Sequence, residues 1–294
     1  MIYIISFFLL FQVSLFAEKV LIITTAYNRP DFIDIQHKTF KKFLSDDYRF
    51  VVFNDASVEN MQAMIENRCA QLGIECFNIP QTIHDLPYLE REPNKDYHNP
   101  SVRNCNAVQY ALDTLGFRHD GIVAVVDSDL FLVKPFSFKK YLKGYQIAGL
   151  HQHGVKDGVQ IPYLWIGIVF MDMASLKEKE TLNFNCGKIA DVPVDAGGFT
   201  HYYLKKHPDL KIKYFDQVHS SYIDSQNIPS LQQHGFDANQ IAMLQAGLHD
   251  VEFFIQASWF HYRSGTNWNC QSQEYHDIKS RLMNDYIAKI SQSP

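Results

Sequence analysis

The chain has 294 residues, of which 46% are hydrophobic and 14% aromatic. A chain of this length and composition can bury roughly three quarters of its unfolded surface, so the composition excludes an intrinsically disordered protein. Its formal net charge is -5 and its pI about 6.2, and its lysines do not cluster. No basic surface of the kind that holds DNA or RNA is therefore expected, and we predict no nucleic-acid partner.

The first 17 residues, MIYIISFFLLFQVSLFA, form an apolar run without a charged side chain. The run is shorter than the roughly 20 residues of a membrane-spanning helix, and it is typical of a signal-peptide core. No Lys or Arg precedes the run, however, and Leu15 stands where cleavage sites prefer a small residue. We predict that residues 1–17 are a signal peptide or membrane anchor, and that the protein is exported, to the secretory pathway or periplasm, or membrane-associated. A buried first strand is the alternative.

The five cysteines are an odd number and lack the CxxC spacing of a zinc site. They are Cys69, Cys76, Cys105, Cys186 and Cys270. We expect most of them to be core residues, although an oxidising compartment would allow Cys69 and Cys76 to pair.

Strands and helices are predicted to alternate along the first half of the chain. Strands are predicted over 19–27, 48–55, 74–79 and 121–126, where β-branched and aromatic residues form short apolar runs. Helices are predicted after Pro30, over 58–72 with a stop at Gly73, and over 101–115 with Ser101 as the cap and Gly116 at the end. This alternation predicts an α/β fold with a mostly parallel central sheet and helices on both faces. Ligands bind beyond the carboxyl ends of the strands in such sheets.

Two aspartates, Asp127 and Asp129, follow the predicted strand 121–126 in the stretch GIVAVVDSDLFLVKP. Two carboxylates this close repel each other unless a cation or a proton lies between them. Mg²⁺ and Mn²⁺ prefer oxygen ligands and leave coordination positions for substrate phosphates. The pair therefore indicates a site for Mn²⁺ or Mg²⁺ and a phosphorylated ligand, although Asp and Ser are also ordinary turn residues.

Four segments, taken in order, resemble the nucleotide-sugar-binding half of GT-A-fold glycosyltransferases. They are VLIITTAYNRPDFI, FVVFNDAS, NPSVRNCNAVQYAL and IVAVVDSDLF, and the resemblance covers about the first half of the chain. It implies that the Asp127-Ser128-Asp129 stretch is the family's Asp-x-Asp metal motif, which binds the metal and the diphosphate. The family then predicts one catalytic domain over 18–294, with a nucleotide-sugar-binding half over 18–135 and an acceptor half over 136–294.

The same resemblance implies donor-binding roles for polar residues of the first half. The segment from Thr25 through Tyr27 to Arg29 and the Asp55 side chain would contact the nucleoside, and Arg103 and Asn106 would face the donor. At Asn106 many relatives have a glycine. The family also predicts a C-terminal histidine that completes the metal shell, which here is His261 in the stretch SWFHYRSGTNW.

Three features of the second half are candidates for the acceptor side. Trp165 is a platform for a sugar ring or a core residue, and the Gly197-Gly198 turn would let the backbone approach a ligand closely, or would be a helix cap. Asp195 is the candidate general base by elimination, since an inverting transfer needs one near the acceptor hydroxyl. Its rivals are Asp172, Asp216, Asp224 and Asp237.

The function expected from the sequence is transfer of a sugar, of the hexosyltransferase class, from a nucleotide-diphosphate donor to a glycan, lipid or protein acceptor. A haloacid-dehalogenase-type phosphohydrolase is the first alternative, since VVDSDLFLV also resembles that family's nucleophile motif and KIADVPVD its later acidic motif. Against this alternative, Phe131 stands where Thr or Val is expected, and more than a hundred residues precede the motif. A non-catalytic exported carbohydrate-binding protein on the same fold is the second alternative.

Overall fold

The computed structural model describes residues 19–96, 98–220, 226–245, 251–266 and 272–292. Its strands are β1 (Val20–Ala26), β2 (Tyr48–Asn54), β3 (Glu75–Asn78), β4 (Ile122–Val126), β5 (Leu130–Leu132), β6 (Ile147–Lys156), β7 (Val159–Asp172), β8 (Gly187–Ile189), β9 (Val192–Val194), β10 (Ile212–Tyr214), β11 (Gln217–His219), β12 (Glu252–Phe254) and β13 (Trp259–His261). Its α-helices are α1 (Pro30–Phe43), α2 (Glu59–Leu72), α3 (Pro100–Thr114), α4 (Phe138–Leu142), α5 (Thr200–Lys206), α6 (Ile228–Gln233), α7 (Ala238–Gln245) and α8 (Gln273–Gln292).

The central sheet has seven strands in the order β10-β6-β7-β4-β1-β2-β3. Strands β3, β2, β1 and β4 pair in parallel, as do β10 and β6, whereas β7 runs antiparallel to both β4 and β6. The predicted α/β class with a mostly parallel sheet is confirmed. Because β1, β2 and β4 point the same way, the residues that follow them meet at one edge of the sheet.

Helices cover both faces of this sheet because side chains along a strand alternate between the faces. In β1, Leu21 and Ile23 pack in a core with α3, whereas Val20 and Ile22 pack in a second core with α1, α2 and α4. All seven residues of β1 are buried. The near-continuous apolar run of this strand reflects burial on both faces.

The helix ends agree with the predictions at α2 and differ at α3. Gly73 follows α2 in the left-handed conformation, with φ of +67°, as expected for a helix stop. The predicted cap of α3 at Ser101 is wrong: the N-cap is Asn99, whose side chain accepts a hydrogen bond from the Ser101 N–H at 3.0 Å. Pro100 therefore occupies the first helical position, where its missing N–H costs nothing. The helix ends at Thr114, before the predicted Gly116.

A second, antiparallel sheet of order β11-β12-β13-β5 joins the two halves of the chain. Strand β5 directly follows the Asp127–Asp129 segment, and its partner β13 ends at His261. The register pairs Leu130 with His261, which brings the C-terminal histidine beside Asp129. An aromatic core of Phe131, Phe253 and Phe260, packed against α8, supports this sheet.

The predicted signal peptide or anchor, residues 1–17, lies outside the described residues. Within the described residues, no helix combines the length and the apolar character needed to cross a bilayer.

Candidate functional site

A cavity of about 620 Å³ lies at the carboxyl ends of β1, β2 and β4. This volume lies within the range of small-molecule sites. Nine residues that the sequence singled out line it: Thr25, Tyr27, Asp55, Arg103, Asp127, Asp129, Trp165, Asp195 and His261. Four others, Arg29, Asn106, Gly197 and Gly198, do not line it. The fold therefore brings most of the predicted site residues to one place.

Asp127, Asp129 and His261 form the carboxylate–histidine group of this cavity. Each offers one ligand atom, and these three atoms lie within 4.8 Å of one another. Asp129 and His261 are buried, and Asp127 is half-buried and faces the cavity. Two carboxylate oxygens and an imidazole nitrogen form a donor set that a divalent cation can accept. Among the described residues, no other group of three or more Asp, Glu, His or Cys side chains has ligand atoms this close together.

Asp129 is fixed by the segment that follows β13. Its Oδ2 accepts a hydrogen bond from the Gly265 N–H at 2.9 Å, and its Oδ1 lies 3.3 Å from His261 Nε2. A Cβ added at Gly265 would come within 2.9 Å of the Asp129 Cβ and 2.6 Å of the Phe32 ring. Only glycine therefore allows this backbone to approach the carboxylate.

Asp127 is held by side chains of α3 and α1. Asn104 Nδ2 donates to Asp127 Oδ1 at 3.0 Å, and Asn104 Oδ1 in turn accepts a hydrogen bond from the Thr25 hydroxyl at 2.9 Å. The buried Gln36 side chain of α1 donates to the Asp127 and Leu130 carbonyl oxygens, at 2.8 and 3.1 Å. Both ends of the Asp127–Asp129 turn are thus fixed by side chains of neighbouring helices.

Glu252 of β12 orients His261. The His261 Nδ1–H donates to Glu252 Oε1 at 2.6 Å, which leaves Nε2 directed toward Asp129. Glu252 is 3% exposed, and Gln217 and Arg263 also contact its carboxylate. A carboxylate behind a ligating histidine sets the tautomer and the ring orientation.

The charges of this group are strongly coupled. Burial and the Asp129 carboxylate raise the pKa of Asp127 to about 6. Burial alone would lower the pKa of His261, but Asp129 and Glu252 raise it to about 9. Burial would likewise raise the pKa of Asp129, yet the facing His261 imidazolium holds it below its usual value. Without a metal ion, His261 therefore carries the positive charge that offsets Asp129 and Glu252 at neutral pH.

A second set of side chains, the Asp55 cluster, lines the cavity at the end of β2. Asp55 is 3% exposed, and its Oδ2 lies 2.8 Å from Arg103 Nε, while its Oδ1 lies 2.9 Å from His84 Nε2. The Arg103 guanidinium lies over the Tyr27 ring, 4.8 Å from its centroid. Tyr27 is 37% exposed. The cluster therefore presents a fixed guanidinium and an open aromatic face to the cavity.

Trp165 and Asp195 form the third, more open side of the cavity. The Trp165 ring packs 5.3 Å from the His261 ring, and it lies over Gly167, where a Cβ would come within 2.1 Å of it. Trp165 is half-buried, so one part of the ring remains accessible. Asp195 is exposed, and its backbone N–H donates to the Tyr163 hydroxyl at 3.3 Å.

Two predicted donor-facing residues instead hold the backbone around the cavity. Arg29 pairs with Asp31 at 2.6 Å and donates to the Gly265 carbonyl at 3.0 Å, so it ties the loop after β1 to the segment after β13. Asn106 is buried and donates to the Asn94 carbonyl at 3.0 Å. Asn106 lies one helical turn from Arg103, but the sequence does not show that the loop containing Asn94 covers it.

Gly197 and Gly198 do not line the cavity, and each has a packing reason to be a glycine. Gly197 has φ of +90°, and a Cβ there would come within 2.0 Å of the Leu164 carbonyl oxygen. A Cβ at Gly198 would come within 2.3 Å of the Val194 side chain. Their backbone approaches β7 and β9, so packing of the protein against itself accounts for both glycines.

The residues that support the site but were not singled out from the sequence include Gln36, Asn104, Glu252 and Gly265. Asn104 is adjacent to Arg103 in the same segment, and this adjacency was a usable signal. Glu252 contacts His261, which is 9 residues away in the sequence. Gly265 contacts Asp129, which is 136 residues away. No local pattern marks such contacts, because the pairing of β12, β13 and β5 creates them.

No protein-family model and no curated protein matches the chain. Among solved structures, the WbbM bifunctional glycosyltransferase is 13% identical, with a TM-score of 0.33, and the match covers 54% of this chain and 32% of that one. Mycobacterium tuberculosis glucosyl-3-phosphoglycerate synthase, in complex with Mn²⁺, UDP and glucosyl-3-phosphoglycerate, is 14% identical, with a TM-score of 0.39 and coverage of 67% and 69%. The same enzyme with Mg²⁺ and UDP is 17% identical, with a TM-score of 0.31 and coverage of 45% and 43%. The chain thus spans about a third of WbbM and up to about 70% of the synthase.

Proposed function

We propose that the protein is a metal-dependent glycosyltransferase that moves a sugar from a nucleotide-diphosphate donor to an acceptor hydroxyl. The proposal rests on one observation: three sets of side chains with different chemical properties line the same cavity. The carboxylate–histidine group, the Asp55 cluster and the Trp165–Asp195 side all line it. The Asp55 cluster suits a nucleoside, the carboxylate–histidine group suits a diphosphate with its metal, and the Trp165–Asp195 side suits a sugar acceptor.

The residues of the carboxylate–histidine group fit Mn²⁺ or Mg²⁺. Asp127 and Asp129 would supply the hard oxygen ligands that these ions prefer, and His261 Nε2 a third ligand. The bound ion would supply Lewis-acid stabilisation of the departing diphosphate. Glu252 and Asn104 are the positioning residues, since they orient His261 and Asp127.

The Asp55 cluster is proposed to bind the nucleoside. Arg103 and the Tyr27 ring face the cavity, and Thr25 lies beside them. Both Asp55 oxygens already contact Arg103 or His84, so Asp55 acts mainly by holding the guanidinium in place. This arrangement assigns Tyr27 and Arg103 to direct contact with the donor.

Asp195 is proposed as the general base and Trp165 as the acceptor platform. Among the described aspartates that compete for the role of base, Asp195 alone lines the cavity, whereas Asp172, Asp216 and Asp237 do not. Asp224 lies outside the described residues. An exposed carboxylate at the open side can reach an acceptor hydroxyl and take its proton as the new bond forms. This role requires an inverting reaction.

We further propose that residues 18–294 form one catalytic domain and that the chain is exported or membrane-associated through residues 1–17. Mass spectrometry of the native protein should find an N-terminus near Glu18, or the intact chain should fractionate with membranes. A full-length protein in the cytosolic fraction would contradict this part of the proposal.

A screen of nucleotide sugars for hydrolysis and for thermal stabilisation, with and without Mn²⁺, tests the main proposal. Stabilisation by a nucleoside diphosphate only when the metal is present supports a transferase. Release of phosphate from simple phosphomonoesters would favour the phosphohydrolase instead. Binding without turnover of any donor and acceptor would favour the carbohydrate-binding protein.

A further inference from the structure

The four cysteines that the structure describes lie in two pairs, both outside the cavity lining. Cys69 of α2 and Cys76 of β3 belong to one core, and Cys105 of α3 and Cys186, which precedes β8, belong to the other. All four are free thiols in the structure. The neighbouring Cys76 thiol and burial raise the pKa of Cys69, and burial and the Cys186 thiol raise the pKa of Cys105. Buried cysteines ordinarily serve as small apolar core residues, but such a role does not require them to lie next to each other in pairs.

The backbone around the first pair brings the two residues together by a tight reversal. Helix α2 stops at Gly73, and the Ile74 N–H donates to the Cys69 carbonyl at 2.9 Å. Strand β3 then runs back along the helix, with Cys76 paired to Val52 in the sheet. Cys69 and Cys76 therefore face each other between α2 and the sheet, in one core.

The second pair is held by polar contacts between α3 and the segment 182–186. Gln109 donates to the Leu182 carbonyl at 3.3 Å and accepts from the Phe184 N–H at 2.9 Å. Asn94 donates to the Cys186 carbonyl at 3.3 Å, and Asn106 holds Asn94. These contacts fix the segment along α3, and they place Cys186 in the same core as the fully buried Cys105.

We propose that both pairs are disulfide bonds, Cys69–Cys76 and Cys105–Cys186, when the chain folds in an oxidising compartment. A metal site is a poorer explanation, because neither pair belongs to a group of three or more ligands among the described residues. Disulfides require two cysteines that the fold holds close together, and the contacts around each pair do this.

Each bond would form by exchange with a low-molecular-weight disulfide such as oxidised glutathione. One cysteine thiolate attacks a glutathione sulfur and releases one glutathione thiolate, and the second cysteine then attacks the mixed disulfide and releases the other. Two cysteine thiols are oxidised and one glutathione disulfide is reduced to two thiols. Since Cys105 is inaccessible in the folded protein, the exchange at this pair takes place before the fold closes.

The two bonds would differ in their effect. Cys69 and Cys76 are close in sequence, whereas Cys105 and Cys186 are about 80 residues apart, and a longer loop loses more entropy in the unfolded state. The second bond would also join α3, which carries Arg103 and Asn104, to the segment that leads to Asp195. It would hold the proposed donor and acceptor sides of the cavity together.

Peptide mapping of the full chain under non-reducing conditions tests the proposal without measuring activity. A Cys270→Ser background removes the fifth thiol. The protein would be produced once in the bacterial periplasm and once in a reducing cytosol. We expect linked peptides Cys69–Cys76 and Cys105–Cys186, and no reactive thiol after denaturation, in the periplasmic sample only. Four reactive thiols in the periplasmic protein, or any other pairing, would overturn the proposal.

Thermal unfolding of paired variants provides a second measurement. Replacing both Cys105 and Cys186 by Ser should lower the Tm of the oxidised protein by about 10 °C, and replacing both Cys69 and Cys76 by about 5 °C. In excess reductant each variant should melt close to the parent. An equal loss of Tm in oxidised and reduced samples would assign the cysteines to core packing alone and contradict the proposal.

Discussion

The carboxylate–histidine group and the Trp165–Asp195 side of the same cavity differ in how their side chains are held. Asp127, Asp129 and His261 each have a partner from a different part of the chain, namely Asn104, Gly265 and Glu252. Asp195 is exposed and is held through its backbone, and Trp165 is held by ring packing. The first side is rigidly held, which suits the proposed metal ion, whereas the second is less constrained, which suits the proposed acceptor. We expect substitutions on the first side to affect metal and donor binding, and those on the second to affect turnover.

Replacement of the two aspartates should have the largest effect and should separate their roles. Asp127→Asn or Asp129→Asn should abolish metal-dependent nucleotide binding, a loss of at least about 100-fold, because each removes a charged ligand. Thermal stability should hold or rise in Asp127→Asn, since the substitution relieves repulsion by Asp129. It should fall in Asp129→Asn, since His261 loses one of its two carboxylate partners and keeps only Glu252. Metal binding is measured by calorimetry and stability by thermal unfolding. Parental metal affinity in both variants would show that Asp127 and Asp129 belong to an ordinary turn and do not bind a metal.

Asp195→Asn should lower the transfer rate by about two orders of magnitude or more, the contribution of a general base. Donor and metal binding should remain parental, because Asp195 lies on the open side of the cavity. Initial rates with saturating donor measure the effect, and Asp172→Asn, outside the cavity, is the matched control. Near-parental turnover eliminates Asp195 as the base, and loss of donor affinity makes it a binding residue.

Glu252→Gln should weaken metal affinity about 10- to 100-fold while the fold persists, because the amide keeps the size of the side chain but not its charge. Glu252→Asp should recover part of the loss if the carboxylate acts by orienting His261. Calorimetric titration with Mn²⁺ of the three proteins provides the comparison. Equal affinity in the parent and the Gln variant would show that Glu252 does not act on His261.

Metal affinity should rise with pH between about 6 and 9. A bound cation requires ionised Asp127 and neutral His261, whose pKa values in the folded protein are about 6 and about 9. Between these values one proton must leave His261, so affinity should increase up to about tenfold per pH unit and level off above pH 9. His261→Ala should bind the metal about 10-fold or more weakly and should lose this slope. A parental slope in that variant would show that another group titrates.

The sequence predicted the parts of this protein that local patterns control. The strands β1 to β4, the helices between them and the strand-end positions of Asp55 and Asp127 follow from apolar runs and turn residues. The cap of α3 was predicted at the wrong residue because Asn99 and Ser101 are both good capping residues, and the sequence does not decide between them.

The rest of the site depends on contacts between distant parts of the chain. Arg29 and Asn106 carry polar groups that suit a ligand, but they turn toward Gly265 and Asn94, which no local pattern places there. Gln36 supports the Asp127–Asp129 turn from a helix that precedes it by about 90 residues. Only the packed structure distinguishes a side chain that faces the cavity from one that holds its walls.

Binding of a nucleoside diphosphate with and without Mn²⁺ tests the central claim most directly. The parent and Asp129→Asn are each titrated by isothermal calorimetry in buffer with Mn²⁺ and in buffer with a chelator. Each of these four conditions is tested with UDP and with GDP. The account predicts that at least one of these nucleotides binds the parent only in the presence of Mn²⁺, and that Asp129→Asn binds neither. Nucleotide binding of equal strength with Mn²⁺ and with chelator, or unchanged in Asp129→Asn, would contradict the claim that the carboxylate–histidine group holds a metal for a nucleotide-diphosphate donor.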